Sequence, residues 1–216
     1  MKKIFLSILT GIIISFFNNV LAKDIIPNTP TLVNVHTVGL YQVGNDVTIY
    51  KFPDDNSQIL YRVRWNSDEF FPADIGANNF FSVFVSKKEL ALINVVDIAD
   101  GWVEIVYNNS TGATGWIKED DPYKFMTWIN FYNTYGKKYG LNILKGAPAF
   151  CKDIKSAPED TAQNISTINV PKHIHLNLIR GNWALISVMD LDKAPKTGYV
   201  RWRSEDGVRY YFPAVK

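Results

Sequence analysis

Few residues of this chain have the types and spacing that catalysis or metal binding requires. The single cysteine, Cys151, lies in a stretch without a known catalytic motif, and a nucleophilic cysteine needs a base beside it. His173 and His175 would share one face of a strand, but two nitrogens make a weak zinc site. A lone cysteine is most often a small buried apolar residue. From these observations together we predict no catalytic residue, no metal site and no cofactor.

Acidic residues cluster in turn-like segments and do not suggest an acid–base pair. Glycoside hydrolysis needs two carboxyl groups that face each other across a cleft, whereas neighbours in a turn point into solvent. The sequence also lacks a phosphate-binding loop and a dinucleotide-binding motif. The acidic clusters are Asp54-Asp55, Glu119-Asp120-Asp121 and Glu205-Asp206.

Aromatic residues offer the remaining chemistry, which is binding. They make up 14% of the chain, and aromatic faces line the pockets and grooves that hold sugars and peptides. Arg201 can meet a carboxylate, although a solvated β face explains it equally well. Tyr210 and Tyr211 are further candidates for exposure. The candidate ligand-binding residues are Tyr50, Phe52, Tyr107 and Trp116 in the first half and Tyr199, Arg201 and Trp202 in the second.

Short apolar runs separated by turn signals must position these side chains. Runs such as 47–50, 59–65 and 102–107 alternate with turn clusters, a pattern typical of an all-β barrel or sandwich. Residues 121–136 differ, because Asp121-Pro122 resembles a helix start and aromatic residues follow at helical spacing as far as Gly136. We predict a short aromatic-rich linker helix there.

The N-terminus predicts export from the cytoplasm. A basic start at Lys2-Lys3, an apolar run from Ile4 to Phe17, and Val20-Leu21-Ala22 follow the order of a cleavable signal peptide. The apolar run is shorter than the roughly 18 to 20 residues that a spanning helix needs. We therefore predict a signal peptide over residues 1–22, no membrane span after its cleavage, and a periplasmic or secreted location.

The mature chain is electrically neutral. Loss of Lys2 and Lys3 leaves 21 basic and 21 acidic residues. Such a chain has no general attraction for a phosphate backbone, so we expect no nucleic-acid partner. The remaining 194 residues suit one large domain or two small ones. One cysteine cannot form an internal disulfide, so packing alone must hold the fold.

The two halves of the chain repeat one pattern. Gly101-Trp102 begins an apolar strand that is followed by a turn and Gly115-Trp116-Ile117-Lys118. Asn182-Trp183 begins a similar strand that is followed by a longer turn and Gly198-Tyr199-Val200-Arg201. Each unit also has an earlier strand and proline turn, which we assign to 47–53 and 141–148. Self-similarity on this scale indicates duplicated domains.

These motifs resemble those of the bacterial SH3-like (SH3b) domain family over about residues 40–120 and 140–205. The resemblance implies two tandem small SH3-like barrels, with Trp102 and Trp183 in the barrel cores. The expected organisation is an extended lead-in over 23–37, a first domain over 38–120 with an insertion near 64–88, a linker helix over 121–140, and a second domain over 141–216.

The resemblance also implies a role outside the cytoplasm, because such domains often bind cell-wall peptides or glycans. We expect a non-enzymatic, exported module that binds peptidoglycan or another cell-envelope ligand. The alternative is a protein-interaction or scaffold module that binds an envelope protein. A cell-wall hydrolase would need catalytic groups that the sequence lacks.

Overall fold

The computed structural model describes residues 23–30, 35–66, 69–121, 123–169, 173–190 and 193–215. The predicted signal peptide lies outside these ranges. The protein is mostly β, with 48% strand and 13% helix, which confirms the all-β class. Within the described ranges, no helix is long and apolar enough to cross a membrane.

The first sheet contains strands β1 to β9. Its order is β4-β3-β2-β8-β7-β6-β1-β9, and β5 also pairs with β6. We call residues 38–127, which contain this sheet, the first module. The strands are β1 (Gly39–Gln42), β2 (Asp46–Tyr50), β3 (Ile59–Trp65), β4 (Phe70–Phe71), β5 (Val83–Val85), β6 (Leu90–Ala99), β7 (Trp102–Asn108), β8 (Ala113–Lys118) and β9 (Phe125–Thr127).

The second sheet contains strands β10 to β16 in the order β12-β11-β15-β14-β13-β10-β16. We call residues 141–215 the second module. The strands are β10 (Leu141–Ile143), β11 (Asp153–Lys155), β12 (Asn164–Thr167), β13 (His173–Arg180), β14 (Trp183–Asp190), β15 (Lys193–Arg201) and β16 (Tyr211–Pro213).

The two sheets have the same topology. When β3-β2-β8-β7-β6-β1-β9 is laid on β12-β11-β15-β14-β13-β10-β16, every neighbour matches. The irregularities match as well: the hairpins β6–β7 and β13–β14 each contain a bulge three to five residues before the turn, at Val96 and at Asn177. Bulges are specific structural features that related folds retain. Their matching positions in the two sheets show that the internal repeat is also a repeat of structure.

The assignment of 141–148 as the second-module equivalent of 47–53 is wrong. Residues 141–148 contain β10, which corresponds to β1, whereas the counterpart of 47–53 is 152–158, a stretch with loop-like composition. The loops that follow are equivalent, because Lys51 N donates to Gln58 O at 2.9 Å and Ser156 N donates to Gln163 O at 3.0 Å. Short strands with few apolar residues escape a search for apolar runs.

The expected pair of separate closed barrels is not what the sheets form. Within the described ranges, neither sheet is closed. One core lies inside the first module and includes Ile49, Val63 and Ile105. The other core joins second-module residues to Leu40 and Leu92 of the first module. The two modules therefore share a hydrophobic core.

The linker helix begins later than predicted. Residues 125–127 form β9, and the helical segment is α2 (Trp128–Phe131), a π turn (Tyr132–Gly136) and α3 (Lys137–Tyr139). Thr127 caps its start by accepting a hydrogen bond from Asn130 N at 3.2 Å. Gly140, with φ of 80°, ends it, so Gly136 lies within the segment.

Two segments lie outside the repeated set of strands. The first module carries β4, helix α1 (Ala77–Phe80) and β5 between β3 and β6, where the second module has only residues 168–172. In the described part of the lead-in, Ile25 exchanges two backbone hydrogen bonds with Phe84, and Asn28 O accepts from Lys145 N at 2.7 Å. The lead-in thus contacts both modules.

Candidate functional site

An aromatic cluster lies on the outer face of the first sheet. Strand pairing places Tyr50 opposite Trp116, and Trp102 opposite Lys118. Because Trp116 and Lys118 are two residues apart on β8, all four side chains lie on the same face. We call Tyr50, Trp102, Trp116 and Lys118 the aromatic face. All four are partly or well exposed.

Two of the three aromatic rings of this face contact each other. The Tyr50 and Trp102 rings are 5.3 Å apart and edge-to-face, at 88°, a favourable arrangement for aromatic pairs. The Lys118 ammonium lies 5.5 Å from the Trp102 ring centre, within the range of a cation–π contact. The Tyr50 and Trp102 rings therefore hold each other, and Lys118 also holds Trp102, while part of their surface stays in solvent.

The opposite side of the same strands anchors this face. Ile49, Ile105 and Ile117 are buried in the first core. Gly115 allows β8 to approach β2 closely, because a Cβ there would lie 2.6 Å from Ile49 Cγ2 and 3.1 Å from Tyr50 O. The close approach positions Tyr50 beside β8.

The loop that follows β2 borders the aromatic face. Asp55 in this loop forms an ion pair with Lys118, and the hydrogen bond from Lys118 to Asp55 raises the pKa of the lysine. Phe52 is 59% exposed, and Phe52 N donates to Ser57 Oγ at 2.9 Å. The loop therefore presents one more exposed aromatic ring, two residues after Tyr50.

A surface cleft of about 340 Å³ adjoins the aromatic face. Tyr50, Thr48 and Lys118 form one part of its lining. Asp46, Glu119 and Asp120 also line it, so carboxylates outnumber the single cation there. Tyr41 fixes the base of the cleft, since its hydroxyl accepts from Asp120 N at 2.8 Å.

The second module has the same positions with different side chains. Trp183 is opposite Arg201, and Lys155 is opposite Tyr199. The close approach is also present: a Cβ at Gly198 would lie 2.5 Å from Ile154 Cγ2 and 2.7 Å from Lys155 O. The counterparts of Tyr50, Trp102, Trp116 and Lys118 are thus Lys155, Trp183, Tyr199 and Arg201.

Arg201 covers this second face. Its guanidinium lies 5.1 Å from the Trp183 ring centre and forms ion pairs with Asp160 at 2.6 Å and Glu205 at 2.9 Å. Burial lowers the pKa of Arg201, but the bonds and charges of Glu205 and Asp160 outweigh it and raise the pKa. Trp183 is only 8% exposed. The Trp183 indole is therefore largely covered, whereas Tyr199, like its counterpart Trp116, is partly exposed.

Several candidate residues lie elsewhere than expected. Trp202 is fully buried, and its indole donates to Gly181 O at 3.0 Å, so it is not a surface ligand contact. Tyr210 and Tyr211 are also buried. Tyr107 packs against Tyr61 beside the first core, with rings 5.3 Å apart, and does not join the aromatic face.

The expectation that Trp102 and Trp183 lie in the barrel cores is not met, because neither belongs to either of the two core clusters. Trp183 is buried, whereas Trp102 is partly exposed. Strand alternation places both tryptophans on the outer face of their sheets. They differ because the Arg201 side chain covers Trp183. The sequence resemblance could not distinguish an indole buried in a core from one buried under an arginine.

Cys151, one of the groups considered for catalysis, lies in an unreactive environment. Cys151 is buried, its thiol donates to Pro148 O at 2.6 Å, and burial raises its pKa to about 11. A thiol in this state is a poor nucleophile. His173 and His175 are exposed on β13. The described residues contain no group of three or more metal-ligating side chains.

Sequence reasoning missed Trp102, Lys118 and Asp55 as members of the site. A signal for them was present in the loops after β2 and β11, which read Pro53-Asp54-Asp55 and Pro158-Glu159-Asp160, each ending in a glutamine. In both loops the second acidic residue forms an ion pair with a cation at the end of the neighbouring strand in the sheet. This cation is Lys118 of β8 in the first module and Arg201 of β15 in the second. Aligning these loops would have located the site.

Comparison with known proteins gives no relative. The chain matches no known protein-family profile, and no curated protein is similar to it in sequence.

Proposed function

We propose that the chain is a non-enzymatic, exported binding protein of the cell envelope that contains two SH3-like modules and binds the glycan strands of peptidoglycan. The observation that carries this proposal is the aromatic face, where Tyr50, Trp102 and Trp116 lie side by side and partly exposed. Exposed rings that are held in place by neighbouring side chains offer an apolar surface on which a sugar ring can stack at little entropic cost.

The charges around the aromatic face favour a polyhydroxylated ligand over an anion. Asp46, Glu119 and Asp120 line the adjoining cleft, and ionised carboxylates only accept hydrogen bonds. Sugar hydroxyls and acetamido N–H groups supply donors to such acceptors. An anionic ligand would meet the carboxylates of Glu119 and Asp120, since Asp46 is already paired with Arg64 at 3.0 Å and Lys118 with Asp55.

The first module carries the glycan site and the second does not. Arg201 and its ion pairs cover Trp183, and Lys155 stands where the first module has Tyr50. We therefore assign binding to the first module alone. A short isolated glycan should bind weakly, and a longer strand should gain affinity from further contacts with the same face.

A pull-down on purified cell-wall sacculi tests the proposal. We expect the mature protein to be retained and Trp102→Ala to lose most retention, because the ring at the centre of the face is removed. Phe71→Ala is the matched control, since Phe71 is 64% exposed on the same sheet but is not part of the face. Circular dichroism verifies that each variant is folded.

Two outcomes would contradict the proposal. One is a folded wild-type protein that is not retained by sacculi. The other is equal retention of Trp102→Ala and wild type. Retention that survives digestion of the glycan but not of protein would point instead to an envelope protein as the partner.

A further inference from the structure

A cavity of about 320 Å³ lies where the two modules and the lead-in meet. Ile25, Ile26 and Pro27 of the lead-in line one side, Asn94 and Asn109 belong to the first module, and Arg209 and Phe212 belong to the second. Ligand sites are common at such junctions, and this volume is at the small end of their usual range. It is distinct from the cleft beside the aromatic face.

Arg209 supplies a positive charge to this cavity. Its guanidinium lies 3.9 Å from the ring centre of Trp128, which also lines the cavity. The Trp128 indole is held in turn, since its N–H donates to Thr37 O at 3.1 Å. The guanidinium is therefore stacked on a fixed ring, which leaves its N–H groups at the edge to bind a ligand.

No described acidic side chain forms an ion pair with Arg209. Burial lowers the pKa of Arg209, and the nearby charge of Arg203 lowers it further. A half-buried guanidinium that is desolvated without a counter-ion is costly. An anion bound in the cavity would remove that cost.

Polar side chains of the first module complete the cavity wall. Asn94 donates through Nδ2 to Asn109 Oδ1 at 2.8 Å, which fixes both amides. Two buried oxygens here, Asn94 Oδ1 and Ser82 Oγ, have no hydrogen-bond partner among the described residues. Both residues line the cavity. Unpaired buried acceptors favour a ligand that donates hydrogen bonds.

We propose that this cavity binds a small carboxylate that also carries an amide N–H, such as the free C-terminus of a short peptide. The planar guanidinium of Arg209 matches the two oxygens of a carboxylate, and the unpaired oxygens of Ser82 and Asn94, which line the same cavity, are acceptors for the amide N–H. This site is separate from the aromatic face and does not depend on glycan binding.

Nuclear magnetic resonance of the tryptophan indole N–H groups tests this in the intact mature protein. The probe is N-acetyl-alanyl-alanine, and the matched control ligand is its C-terminal amide. We expect the acid to shift the Trp128 indole signal and to leave the Trp102 signal unchanged. The amide should bind about 10- to 100-fold more weakly, because it loses the charged hydrogen bonds to Arg209.

Variants make the same comparison from the protein side. Arg209→Gln should reduce the affinity for the acid to that for the amide, while Arg180→Gln, at an exposed arginine on β13, should leave the affinity unchanged. Equal binding of acid and amide to the wild type, or an unshifted Trp128 signal, would overturn the proposal, and neither outcome depends on the folding of a variant. A Trp128 shift that persists undiminished in folded Arg209→Gln would overturn it too.

Discussion

The two modules have the same strand order and the same close glycine contacts, yet one outer face is open and the other is closed. In the first module, Trp102 contacts Tyr50 and a lysine that has one described ion-pair partner, Asp55. In the second, Trp183 lies under an arginine that has two, Asp160 and Glu205. The strand order is common to both, so at these matched positions the difference lies in the side chains.

This difference shows how a repeated fold separates structure from binding. An arginine stacks flat on an indole and forms directed bonds to two carboxylates at once, whereas a lysine is a flexible point charge. The second module has Arg201 at the position of Lys118, together with Glu205, and its tryptophan ring is covered where that of the first module is partly exposed. We infer that the second module stabilises the shared core while the first module presents the ligand surface.

Removal of each tryptophan should produce the largest contrast between the modules. Trp183→Ala should destabilise the protein by about 3–5 kcal/mol, because it empties a buried space and leaves Arg201 without its stacking partner. Trp102→Ala should cost about 1 kcal/mol, since the ring is partly solvated already. Urea unfolding of both variants measures the difference.

The comparison would fail if both tryptophans contributed equally to stability. Equal losses would mean that Trp102 is as well covered in solution as Trp183, and the aromatic face would then not be available to a ligand. Phe71→Ala, at an exposed ring outside both faces, should change the free energy of unfolding by less than about 1 kcal/mol.

The paired glycines provide a smaller contrast. Gly115→Ala places a Cβ 2.6 Å from Ile49 Cγ2, a side-chain atom that can shift, and 3.1 Å from Tyr50 O, whereas Gly198→Ala brings a Cβ within 2.7 Å of the backbone oxygen of Lys155. We expect a loss of about 1 kcal/mol for the first and about 3 kcal/mol for the second. Thermal unfolding of the two variants tests the order, and a larger loss for Gly115→Ala would contradict it.

Much of the fold could be predicted from local sequence. Alternation of apolar and polar residues along 59–65, together with turn signals after 99 and 108, correctly predicts β hairpins because each strand has one buried face. The repeat was visible wherever Gly-aromatic pairs occur, since only glycine fits between β8 and β2. Strand β11 was missed because its three residues contain one apolar side chain, Ile154.

The sites were harder to predict, because they depend on contacts between distant parts of the chain. Exposure of Trp102 and burial of Trp202 both follow from strand register, which apolar content does not reveal. The cavity around Arg209 requires the lead-in, β6 and the segment before β16 to meet. No spacing rule places residues 25, 94 and 209 together, so sequence patterns alone could not have located it.

Acidification should open the second face and make it resemble the first. The pKa of Glu205 lies below its ordinary value because Arg201 donates a hydrogen bond to this carboxylate, with a second bond from Asn182. A carboxyl group whose pKa is lowered by folding stabilises the fold above its unfolded pKa, and this contribution is lost as the pH falls through the folded pKa. Below pH about 4, Glu205 should therefore begin to release Arg201.

Exposure of the Trp183 indole to a soluble paramagnetic agent measures this opening. We expect broadening of the Trp183 signal to increase on acidification, whereas the Trp102 signal should be broadened at every pH because its face is already open. Glu205→Gln should show the broadened Trp183 signal at neutral pH, since the neutral amide cannot hold the guanidinium as a carboxylate does. A Trp183 signal that stays protected in that variant would show that Asp160 and ring stacking suffice to keep the face closed, and the two modules would then differ through Arg201 alone.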